Sequence, residues 1–159
     1  MMRKLFLLFP VLAAVAMAVP GQVLGQNDPR AGNWKLSVAK SKYDPGPPPS
    51  GETRTYEIHG RAMKVTIEST DAQGHKVNLS YTANDDGKDY PVSGLAMADA
   101  ITVKRVDAQT FDMETKKGGK VIGTSRAQIS HGGKTLTLTS NTAGVDGKPI
   151  HNVAVYDKQ

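Results

Sequence analysis

Four histidines, six methionines, five tyrosines and one tryptophan carry most of the chemistry this chain can offer. His59 and His131 fall in turn-like stretches, His75 opens an alternating run and His151 lies near the C-terminus. None has the close spacing of a metal-ligand pair with a third donor nearby in sequence. No serine sits on a strand-to-helix elbow, and no pair of acids flanks such a turn. Cysteine is absent, which excludes disulfides, thiolate metal sites, a cysteine nucleophile and a lipidated cysteine. The expectation is therefore a protein without cofactor or metal, and not an enzyme.

The more informative residues are those sharing a parity with an apolar face. Arg105 continues the face of Ile101 and Val103, and Arg54 continues that of Tyr56 and Ile58. A buried guanidinium is costly unless paired, so such an arginine implies an anionic ligand or a carboxylate partner. The competing reading places both at strand ends with their heads in water. Tyr56, Met63, Tyr81, Phe111 and Met113 share the inward parity. With Arg105 they form the candidate ligand lining, although methionines at such positions serve equally as core filler.

What must position these side chains is a set of strands. Trp34, Leu36 and Val38 alternate with polar neighbours, as do Met63, Val65 and Ile67, then Val77, Leu79 and Tyr81. Ile101 and Val103, Phe111 and Met113, Leu136 and Leu138, and Val153 and Val155 continue the pattern. A period of two means one buried face and one wet face, the signature of antiparallel strands. The breaks carry turn chemistry, from His59-Gly60 and Asp71–Gly74 to Asn84–Gly87, Lys117–Gly119, His131–Gly133 and Val145–Gly147. The fold class is all-β: an antiparallel up-and-down meander of about 8–10 strands, closed into a barrel that hides its edges. The strand over 121–130 leaves its parity open, with Gly123, Ser125 and Ala127 inside or Arg126 inside. Between Ser41 and Gly51, four prolines (45, 47, 48 and 49) read as a stiff crossover.

The N-terminus has a separate logic. Arg3 and Lys4 precede an uncharged run from Leu5 to Val19, then Pro20-Gly21 and the small-residue exit Val23-Leu24-Gly25. That order reads as a signal peptide over 1–25, leaving 26–159 as a single domain. The run is shorter than the roughly 20 residues of a membrane span, so no membrane anchor is expected. The expected location is periplasmic or extracellular. Removing Arg3 and Lys4 also trims an excess of 20 basic over 15 acidic residues. With no basic helix or aromatic row, a nucleic-acid partner is not expected.

Two short motifs carry a likeness. Gly32-Asn33-Trp34-Lys35-Leu36 at the first strand resembles the opening signature of the calycin superfamily, the lipocalins and fatty-acid-binding proteins. Val153-Ala154-Val155-Tyr156-Asp157-Lys158 resembles the last strand of the fatty-acid-binding branch. The stretch from Gly32 onward also resembles small exported bacterial lipocalin-like proteins of uncharacterised activity. The resemblance implies a barrel with Gly32, Trp34, Tyr156 and Lys158 in structural roles, Lys158 lying over the Trp34 ring. It also implies a fatty-acid clamp that this chain lacks, since the arginine expected two residues before Tyr156 is Ala154. The helical lid between the first two strands is likewise replaced by the proline-rich crossover.

The functional expectation is a non-catalytic exported barrel holding a small, mostly apolar or amphipathic ligand. The alternative is a packed-interior barrel acting through surface protein contacts. In a meander every second connection shares one rim, which collects Lys116, Lys117, Lys120 and Lys148. That rim is the expected entrance, its lysines either attracting anions or merely solubilising hairpin tips. Oligomeric state is left open.

Overall fold

Alternating apolar and polar residues can bury one face of every strand at once only if the sheet curls onto itself. The computed structural model, which describes residues 28–144 and 146–159, does this. The signal-peptide reading of 1–25 lies outside the described residues. The chain runs β1 (Gly32–Leu36), a short 3-10 turn (Val38–Lys40), β2 (Lys42–Asp44), β3 (Gly51–His59), β4 (Ala62–Thr70) and β5 (Lys76–Asn84). It continues through β6 (Asp86–Ser93), β7 (Ala100–Arg105), β8 (Thr110–Lys117), β9 (Lys120–Ile129), β10 (Thr135–Ala143) and β11 (Pro149–Lys158). From β3 to β11 each strand pairs antiparallel with the next, and β1 pairs with both β3 and β11. The result is a closed ten-strand antiparallel barrel. β2 pairs with β11 through His151–Val153, beyond the stretch that β1 occupies.

Two strands escape the alternation reading. β2 stands just before Pro45, where three residues are too few to show a period. β6 contains Pro91, which lacks an N–H and disguises the Tyr90, Val92 alternation. Its pairing with β5 is also thin: Ser80↔Ser93 and Tyr81↔Val92 alone hold this seam, whereas β4 and β5 pair along their whole length. In β9 the inward parity is Gly123, Ser125, Ala127 and Ile129; Arg126 points out and donates to Asp112 at 2.7 and 2.9 Å.

The interior is uneven along its axis. Toward the β3–β4, β5–β6, β7–β8 and β9–β10 turns it is filled by Trp34, Val65, Val103, Phe111 and Tyr156, all fully buried. Toward the opposite turns the inward apolar side chains Tyr43, Leu79, Tyr90, Val92 and Met113 are only partly buried. The first is the more closed end, although Ile58 there is also only partly buried, and the second is the more open one.

Candidate functional site

The closed end is sealed by the residues leading into β1. The Trp34 Nε1 donates to the Arg30 carbonyl at 2.7 Å, fixing this lead across the barrel floor. Gly32 adopts φ +116°, and a Cβ there would come within 3.1 Å of Lys158 Cε. Glycine thus leaves room for Lys158, whose Nζ lies 5.0 Å from the centre of the Trp34 ring. The Arg30 guanidinium stacks 3.9 Å from the Phe111 ring centre and that of Arg105 4.6 Å from it. Arg30 donates to Asp28 and Asp85, and Arg105 to the same two carboxylates at 2.8 and 2.9 Å. Burial pushes the Asp28 carboxyl up, but hydrogen bonds and charge from Arg30, with Arg105, outweigh it and hold it at about 2. A half-open recess of ≈1180 Å³ lies over this network, with Ile58 and Met63 among charged walls that include Arg61, Asp86 and Lys88.

The open half has a different chemistry. Along β8, β9, β10 and β11, inward Met113, Ser125, Ser140 and Asn152 stand side by side in register, and Thr115, Gly123 and Thr142 form the next row outward. Apart from Met113 and Asn152 these side chains are small or hydroxylated, so they fill less volume than bulky apolar ones would. On the facing wall β3 brings Glu52 and Arg54 inward. The Arg54 Nε donates to Glu52 Oε1 at 2.6 Å, and the Tyr156 hydroxyl donates to the same oxygen at 2.7 Å. The Arg54 guanidinium lies 4.9 Å from the Tyr156 ring centre. Burial pushes the Glu52 carboxyl up, yet Arg54 and the hydrogen bond from Tyr156 hold it below its ordinary range. Burial raises the Tyr156 and Tyr81 hydroxyls well above theirs, so both stay neutral donors. β1 pairs with β3 only as far as Thr53, and β2 does not take over. A recess of ≈450 Å³ opens there, lined by Leu36, Glu52 and Ser69.

The candidate residues divide between the halves. Tyr56, Met63, Tyr81 and Phe111 are buried in one core cluster, and Met113 is partly buried on its open side. Arg105 lies at the closed end, half exposed and paired, away from the open volume. Arg54, with its side chain 14% exposed, is the arginine that enters the barrel, and a carboxylate accompanies it. Glu52 shares the parity of Arg54 and Tyr56, a signal legible in the sequence and passed over. Asp28 and Arg30 precede the first strand, where no alternation could mark them. At the open rim, Lys116 pairs with Asp89 at 2.7 Å, Lys148 with Asp146 at 3.2 Å and Lys117 with Asp99 at 4.0 Å. Three of the four rim lysines thus have a carboxylate within 4.0 Å. The four histidines are exposed and scattered; His75 contacts Asp71 at 2.9 Å and His151 contacts Asn141 at 2.6 Å.

With this geometry in hand, the barrel is calycin-like in fold. No protein-family model matches the chain, and no curated protein matches it. Among solved structures it is similar to Rv2717c from M. tuberculosis, at 14% identity and TM-score 0.55, over 82% of this chain and 93% of that one. It is also similar to the zebrafish ileal bile acid-binding protein complexed with cholic acid, at 15% identity and TM-score 0.49, over 82% and 99%.

Proposed function

We propose that this is an exported, non-catalytic carrier or sequestering protein that holds one small, mostly apolar ligand in the open half of its barrel. The supporting observation is the set of partly buried inward side chains, Tyr43, Leu79, Tyr90, Val92 and Met113, in the half that also carries inward Gly123, Ser125 and Ser140. Apolar surface left half-wet inside a barrel gains free energy when a ligand covers it, roughly 25 cal/mol per Å² removed from water. The export part of the reading rests on the charged start, apolar run and small-residue exit before Gln26.

A second reading, surface protein contact, draws on apolar side chains exposed at the open rim: Met97 at 53% and Val121 at 49%. Native mass spectrometry of protein purified gently from the exported fraction separates the two. A retained mass, or saturable uptake of an added apolar ligand near one equivalent, supports the carrier. A bare mass that no apolar ligand shifts sinks it.

A further inference from the structure

Arg54 brings more hydrogen-bonding capacity into the barrel than the protein uses. A guanidinium has five N–H groups in a rigid fork. Here the Nε is committed to Glu52, and among the described residues neither Nη nitrogen has an acceptor. Among the described residues, none that is partly or fully buried leaves a solvent-inaccessible side-chain nitrogen or oxygen without a partner, so both Nη atoms border open volume. The face of the group is taken by the Tyr156 ring, which leaves the Nη edge to receive an acceptor. A ligand that covers the apolar walls cuts these donors off from solvent, and one ligand oxygen bridging the two Nη atoms keeps them satisfied.

Charge balance selects the kind of oxygen. Glu52 already neutralises Arg54, and the inward polar side chains of this half, Ser69, Ser125, Ser140 and Asn152, bring no second cation, while Lys35 and Lys76 at the mouth of the recess stand exposed on the outward parity. A carboxylate arriving here would place a second anion beside Glu52 in a poorly solvated site. A neutral carbonyl incurs no such repulsion while accepting the same hydrogen bonds. We infer that the ligand presents an uncharged carbonyl-type acceptor, an ester, amide or ketone on an apolar body, to the Nη edge of Arg54. This rests on the carrier reading above and names its ligand class.

The test compares decanamide with decanoate at pH 8, where the acid is ionised, by competition in native mass spectrometry. The wild-type protein is expected to prefer the amide by tenfold or more. Glu52→Gln keeps the shape but removes the balancing charge, and is expected to reverse the order toward decanoate. Arg54→Met is expected to abolish any discrimination in favour of the acceptor head. Equal or tighter binding of decanoate by the wild type, or an unchanged ratio in Glu52→Gln, overturns this inference alone. Binding of neither probe overturns it together with the carrier reading. Circular dichroism checks that each variant folds, and the wild-type ratio decides without them.

Discussion

Two rows of side chains, a single pleat apart on the same four strands, behave differently. Phe111, Ala127, Leu138 and Ala154 lie in register in the closed half and are all buried. Two residues further along each strand, Met113, Ser125, Ser140 and Asn152 are only partly buried. Backbone, pairing and parity are continuous between the rows, so strand architecture does not decide whether the interior is solid. The volume of the inward side chains does, together with the plug that Arg30 and Trp34 supply at one end only. The same contrast holds for charge. All three guanidinium nitrogens of Arg30, and two of those of Arg105, donate to Asp28 or Asp85, whereas Arg54 in the open half is bound through one nitrogen.

The contrast breaks most visibly at Trp34. Trp34→Ala removes a side chain with no exposed surface and should lower stability by about 3–5 kcal/mol in urea unfolding. Met113→Ala, one row into the open half, should lower it by only about 1 kcal/mol, since much of that side chain already meets open volume. Equal losses at the two positions would mean that the halves are packed alike.

Acid probes the charged plug. The folded protein holds the Asp28 carboxyl at about 2, below its ordinary 3.8. A lowered folded value contributes stability in full above about pH 4, and that contribution is lost as the pH falls toward 2. After allowance for partial solvation it amounts to about 1–2 kcal/mol. Glu52, also lowered, acts with the same sign over the acid range. Asp28→Asn should therefore be less stable at pH 7 and show a shallower loss between pH 4 and pH 2, measured by thermal melts across that range. A parallel loss in wild type and variant would remove the plug from the account.

The smallest effect on stability should sharpen the comparison most. Ser125→Val adds apolar volume to the open row and should change unfolding free energy by less than about 1 kcal/mol. It should nevertheless weaken uptake of an apolar ligand severalfold in the mass-spectrometric titration, because it fills the space that a ligand needs. Unchanged uptake would place the ligand elsewhere.

Much of this architecture was legible because a period of two survives in most of the long strands. Trp34, Tyr56, Val65, Val103 and Phe111 announce their burial by alternation alone. β2 was hidden by brevity and β6 by Pro91, local features that pairing in the folded sheet overrides. The site was less legible because its key contacts join positions far apart in sequence. Arg54 and Glu52 are neighbours on one strand, but Tyr156, which ties them to the far edge, comes from the end of the chain. Arg105 and Arg54 have equivalent inward parity; only the ends to which their strands deliver them separate a plug residue from an interior one.

The first and last strands close the barrel through Trp34↔Lys158, Lys35↔Asp157 and Leu36↔Tyr156. That contact joins the two ends of the folded domain, so a chain lacking its final strand has β1 and β10 left as bare sheet edges along their length. Closure also carries the largest loop-closure cost, because it is the most distant pairing in sequence among the described residues. Before it forms, the β1 edge of one molecule can pair with β11 of another through the same three residue pairs, in proportion to protein concentration. Refolding at high protein concentration therefore feeds strand-exchanged dimers, whereas dilution favours the closed monomer. The last ten residues act as the latch that decides between them.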